Sequence, residues 1–173
     1  MSPFRTRHGE SEIKTSQEKV IESLEKSGLS KRDTLLIGGG ALALAGIRPA
    51  SDVDVFVPGN VFRDLAQSKR TPSGLYLQDK RGTFRPFLET VPGRLPSDIL
   101  AFDIGHPTDD RHHQNTPELD AQYLREISKF PTVAGFRYLP PQYVAHQKSV
   151  IDGRMRPKDR HDIKLIDKHL SRS

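Results

Sequence analysis

The 173-residue chain contains no cysteine and no tryptophan, few aromatics at 7%, and no long hydrophobic run. Without thiols it can form no disulfide, no cysteine nucleophile and no thiolate zinc site, so any metal must be held by oxygen or histidine. No stretch approaches the roughly 18–20 apolar residues of a membrane span. The opening "MSPFRTRHGESE" lacks the apolar segment of a secretion signal,. A cytoplasmic location with no membrane partner is therefore expected. Internal repeats and low-complexity tracts are also missing.

What is present is 34% hydrophobic and 28% charged residues, the composition of a globular domain with a lean core,. The length suits one domain on the usual scale of roughly 100–200 residues, with residues 1–12 expected to be disordered. A net charge of +5 is compatible with a polyanionic partner, nucleic acid or nucleotide phosphate, but does not require one,.

Periodicity then divides the chain. "SQEKVIESLEKSG" reads as an amphipathic helix with Ser16 as N-cap, Val20, Ile21 and Leu24 as its apolar stripe, and Gly28 as its stop,. "DTLLIGG" reads as a buried strand, "GALALAG" as a short run of small and apolar residues, too short for a long helix, and "DVDVFV" as a strand alternating with period two,. "NVFRDLAQSKR" reads as helix, then "GLYLQDKR", "TFRPFLETV" and "SDILAFDI" as strands, giving a sheet of about five,. "LDAQYLREISK" is expected as helix and "TVAGFRYL" as one more strand. Pro140-Pro141 opens a last helical region, residues 140–173,. The class is α+β (α/β).

The chemistry concentrates in residues 35–57, where Gly38-Gly39-Gly40 precede an Asp-Val-Asp strand. The glycines with Ala43 fit the dinucleotide fingerprint G-x-G-x-x-A. That site needs an acid about 20 residues on, at the end of the second strand, whereas Asp52 and Asp54 lie 14 and 16 positions after Gly38 and open their strand. Strand side chains alternate faces, so the two aspartates share one face about 6.5–7 Å apart while Val53, Val55 and Val57 point to the buried side. Like charges so placed repel unless a cation sits between them. Magnesium binds carboxylate and phosphate oxygens together, and glycines such as Gly38 and Gly39 let phosphates approach backbone N–H groups, with positive φ available. The combination describes a site for a metal-bound triphosphate.

"GGGALALAGIRPASDVDVFV" resembles the signature of the nucleotidyltransferase superfamily related to DNA polymerase β: strand, glycine turn, short helix, basic residue, then Asp-x-Asp in the next strand. "PPQYVAHQKSVIDGRMRPKDRHDIKLI" is similar to the C-terminal element of small bacterial and abortive-infection toxin-like members, with Lys148, Arg154, Lys158, Asp159 and Asp162 at the matching positions. The resemblance implies the nucleotidyltransferase fold, a mixed sheet flanked by helices, with residues 140–173 packed on it. It also implies Mg²⁺ or Mn²⁺ as cofactor and transfer of a nucleoside monophosphate from a triphosphate such as ATP to a hydroxyl on RNA, protein or a small molecule, in a toxin–antitoxin setting. Gly38, Gly39, Arg48, Lys148 and Lys158 are its nucleotide-binding candidates, and Asp52 and Asp54 its metal ligands.

Such enzymes use a third carboxylate from a neighbouring strand. Asp98 is preferred here because it follows a Pro-Gly turn and precedes an apolar pair, as in the family pattern; Asp103 is the alternative. Each candidate also has a plainer reading. The glycines could form only a tight turn, Asp52 and Asp54 a solvated strand face, and Arg48, Lys148 and Lys158 surface cations. Asp159 and Asp162 suit the first turn of a helix, where the dipole favours acids, and are read as structural. His112-His113, with His106 and Asp109-Asp110 nearby, lack a helix or strand to frame a metal site and read as a polar loop. The competing function is a non-catalytic nucleotide- or nucleic-acid-binding module.

Overall fold

The computed structural model of the chain describes residues 7–80, 82–87, 100–107, 117–150 and 155–173. Among them are six helices and seven strands: α1 Arg7–Ser27, β1 Leu35–Ile37, α2 Gly38–Leu44, β2 Asp52–Phe56, α3 Gly59–Ser68, β3 Tyr76–Lys80, β4 Thr83–Phe87, β5 Ala101–Gly105, α4 Pro117–Arg125, β6 Thr132–Val133, β7 Phe136–Tyr138, α5 Pro141–Val150 and α6 Pro157–Leu170. None of these helices is long and apolar enough to cross a membrane.

The strands form one mixed sheet in the order β3-β4-β5-β2-β1-β7-β6. Seven strands exceed the expected five or so. One reason is that "TVAGFRYL" is a hairpin: Ala134 and Gly135 both take positive φ, 50° and 86°, the geometry of a two-residue turn that folds β7 back on β6,. Period two alone could not reveal a turn whose first residue is alanine.

Helix α1 starts upstream of the expected boundary. Residues 7–12, expected to be disordered, are helical, and Ser16 lies inside the helix instead of capping it. The inward stripe is Ile13, Ser16, Gln17, Val20, Ser23, Leu24 and Ser27, spaced three and four apart,. Hydroxyls within that stripe satisfy backbone that α1 covers. Ser16 Oγ accepts the Ala50 N–H (2.8 Å) and Ser23 Oγ accepts the Leu100 N–H (2.9 Å). These two amides lie just before β2 and β5. Gly28 ends the helix as expected, at φ 71°.

Apolar residues pack on both faces of the sheet. Val20 and Leu24 of α1 and Phe62 and Leu65 of α3 meet Leu36, Val53, Val55, Phe102 and Ile104 on one side. On the other, Leu35, Ile37 and Phe56 meet Tyr123 of α4, Val144 of α5 and Ile166 of α6. Helices α5 and α6 thus pack on the face opposite the one that buries Val53 and Val55.

Candidate active site

Strand β2 pairs antiparallel with β1 and parallel with β5, so the glycine turn and two acid-bearing segments meet at one end of the sheet. Val53 and Val55 are buried, and Asp52 and Asp54, which alternate with them, point to the opposite face, as the strand period requires,. The register of β5 matters most. Asp103 is the Cα partner of Asp54, so its side chain emerges on the same face, on a strand about 4.8 Å away. Strand β5 runs from Ala101 to Gly105, which puts Asp103 at its centre. Asp98 lies outside the described residues.

Asp103 has a partner of its own. Arg85, in the middle of β4, holds both of its carboxylate oxygens with Nε and Nη2, each at 2.8 Å. The Arg85 pKa is raised, first by this hydrogen bond and further by the charges of Asp103, Asp52 and Asp54, so the guanidinium lies in the field of all three acids. Carboxylate oxygens are the donors magnesium and manganese prefer, and in donor chemistry Asp52, Asp54 and Asp103 fit such an ion. Among the described residues, no three His, Cys, Asp or Glu side chains are grouped so as to hold a metal ion.

The glycine turn abuts these acids. Gly38 takes φ 54°, and a Cβ built on it would lie 3.6 Å from Asp54 Oδ2. Positive φ falls at Gly38 and not at Gly39, whose special need is space: a Cβ there would meet Arg48 Nη2 at 3.2 Å. Gly40 lies close against Val53, which seats α2 on β2. The expected short helical turn is therefore α2 itself, three glycines leading into Ala41–Leu44.

Beyond the turn stands a second charged cluster, built by α5 and α6. Arg48 donates to Asp162 through Nε (2.6 Å) and Nη2 (2.9 Å). Lys148 Nζ sits between Asp159 (3.0 Å) and Asp162 (3.1 Å) with its side chain only 10% exposed. Arg156 Nε reaches Asp159 at 2.9 Å. Burial by itself would raise the Asp159 pKa, but hydrogen bonds from Arg156 and Lys148 outweigh it and hold the value at about 2. Asp162 is lowered too, with Arg48 and Lys148 overcoming its burial. Both aspartates are buried and paired; Asp159 lies in the first turn of α6, as expected, whereas Asp162, expected there too, lies one turn further on because α6 opens at Pro157.

The nucleotide-binding candidates therefore divide. Gly38 adjoins Asp54, Gly39 lies against Arg48, Lys148 is enclosed between two aspartates, and Lys158 is exposed on α6. Arg154, His112, His113, Asp109 and Asp110 lie outside the described residues. His106 Nδ1 lies 3.0 Å from the Val57 carbonyl oxygen. Sequence reasoning missed Arg85 and Arg156. The only signal for Arg85 was a charge inside a strand, between Phe84 and Pro86, on the face opposite the buried Phe84,.

Comparison with known proteins adds no relative: no family model matches the chain, and no curated protein or solved structure gives a significant match.

Proposed function

We propose that this chain is a metal-dependent nucleotidyltransferase of the DNA polymerase β-like kind, moving a nucleoside monophosphate from a triphosphate to a hydroxyl acceptor. The observation that carries this reading is the register of Asp103 beside Asp54, on the face shared with Asp52 and next to the Gly38-Gly39 turn. Asp52, Asp54 and Asp103 would hold Mg²⁺ or Mn²⁺, which supplies charge neutralisation at the phosphates. The third carboxylate is assigned to Asp103, the alternative, instead of the preferred Asp98.

The chain's own groups divide the remaining work. Gly38 and Gly39 present backbone at which phosphate can lie without a side chain between, and Arg48 stands over Gly39. The acceptor oxygen forms a bond to the α-phosphorus, the bridging P–O bond to the β-phosphate breaks, and pyrophosphate leaves. The hydroxyl proton passes to a carboxylate, a role for which the register of Asp103 beside Asp54 supports Asp103. Catalysis is mostly positioning and charge stabilisation. The competing reading, a nucleotide-binding module without turnover, draws support from the clasp of Arg85 on Asp103.

The test is incubation with each labelled nucleoside triphosphate, Mg²⁺ and a pool of cellular RNA and protein. Wild type should transfer label. Asp103→Asn should lose on the order of 10³-fold, the scale of removing one charge-stabilising group, while Asp98→Asn keeps most activity. Loss in Asp98→Asn alone would return the third carboxylate to Asp98. No transfer by wild type with any nucleotide, alongside retained triphosphate binding, would leave the binding module standing.

A further inference from the structure

The clasp between Arg85 and Asp103 raises a question the reaction does not answer, namely why a carboxylate placed beside Asp54 should be bound bidentately by an arginine of the next strand. The pair is partly exposed, with Arg85 28% and Asp103 17% accessible, so it is not sealed in a core. Its members come from the interiors of β4 and β5, whose register at Phe84 and Ile104 brings them together. Three carboxylates crowd one face of β2 and β5, and Arg85 feels the charge of each. A planar guanidinium that grips two oxygens of a carboxylate has the same geometry for two oxygens of a phosphate.

We propose that Arg85 is an exchangeable ligand of the site: it occupies Asp103 in the metal-free protein, yields that carboxylate to a divalent cation, and then binds a phosphate of the incoming triphosphate. This rests on the metal-site reading above and adds a phosphate-binding residue to it. The exchange conserves paired charge. The cation replaces the guanidinium at Asp103, and the phosphate replaces Asp103 at the guanidinium, so neither group is left without a counter-charge. Metal and triphosphate consequently favour one another: each makes available the partner the other needs.

The proposal predicts opposite signs for two binding constants in one variant. Arg85→Met keeps the aliphatic volume and removes the fork. In titration calorimetry it should bind Mn²⁺ alone about tenfold more tightly than wild type, because no cation competes for Asp103. It should bind preformed Mn²⁺–tripolyphosphate about tenfold more weakly, the net of that tenfold gain at Asp103 and an about hundredfold loss from the missing fork, two charge-assisted contacts of about 1.4 kcal/mol each. Arg85→Lys, which retains the charge without the fork, should fall between the two on both measurements. Circular dichroism checks the fold of each variant. Mn²⁺ affinity unchanged or weakened in Arg85→Met overturns the exchange, as does unchanged tripolyphosphate affinity. Asp54→Asn separates this from the functional reading: if wild type and Asp54→Asn bind Mn²⁺ equally, the metal site itself is wrong and the exchange falls with it.

Discussion

Two clusters of charge flank the Gly38-Gly39 turn, and they are built on different principles. The α5–α6 cluster sets Arg48, Lys148 and Arg156 around Asp159 and Asp162, two carboxylates that are almost wholly buried and bonded from several sides. The sheet cluster sets three carboxylates on strand faces with Arg85 bound to one of them, and its members remain partly open to solvent. By formal charge the first sums to +1 and the second to −2, counted over these named groups. A saturated network holds helices in place, whereas clustered acids on a rigid sheet are set up to attract a cation. On the proposed reading, positive and negative ends on either side of one turn would meet the two signs of a metal-bound phosphate.

The contrast can be broken most forcefully in the buried cluster. Removing one partner there strands the others, so Asp162→Ala should cost about 3 kcal/mol, read from urea unfolding. Asp52→Ala, on the partly exposed sheet face, should cost under about 1 kcal/mol. Equal losses in the two variants would erase the distinction.

Acid sharpens the same contrast. A carboxylate whose folded pKa is depressed stabilises the fold above its unfolded value and loses that stabilisation as pH falls through the folded one. Asp159, held at about 2, should therefore contribute about 2 kcal/mol that disappears between roughly pH 4 and pH 2. Asp162 shifts in the same direction. Unfolding free energy should drop across that window in wild type and less steeply in Asp159→Asn; parallel curves would show that Asp159 is not the group concerned.

A smaller effect tests how the sheet cluster is supported. Ser23→Ala leaves the Leu100 N–H, just ahead of β5, without its hydroxyl partner and should cost about 1 kcal/mol in thermal unfolding,. Ser16→Ala, which strips the Ala50 N–H ahead of β2, should cost a similar amount. If neither change lowers stability, α1 does not anchor the acid-bearing strands through its serines.

Much of this arrangement is local and could be read from residue order. The glycines leading into α2, the alternation that puts Asp52 and Asp54 on one face, the stop at Gly28 and the helix opening at Pro141 depend on backbone preference and periodicity within a few residues,. The extent of α1 did not follow from such signals. Its inward stripe is largely polar, and its serines and glutamine are buried against backbone from distant segments, Gln17 Nε2 donating to the carbonyl oxygen of Ala43. The choice between Asp98 and Asp103 was equally closed to local reasoning. Both are aspartates near the same strand, and only the pairing of β5 with β2, between residues about fifty positions apart, sets Asp103 beside Asp54. Sequence determined which residues could carry chemistry, because side-chain type and strand period are local properties. Tertiary structure alone decided which of them meet: Arg85 with Asp103, Arg48 with Asp162, Lys148 between two buried acids. Strand register and helix docking arise from packing summed over the whole sheet, and no short stretch contains that sum.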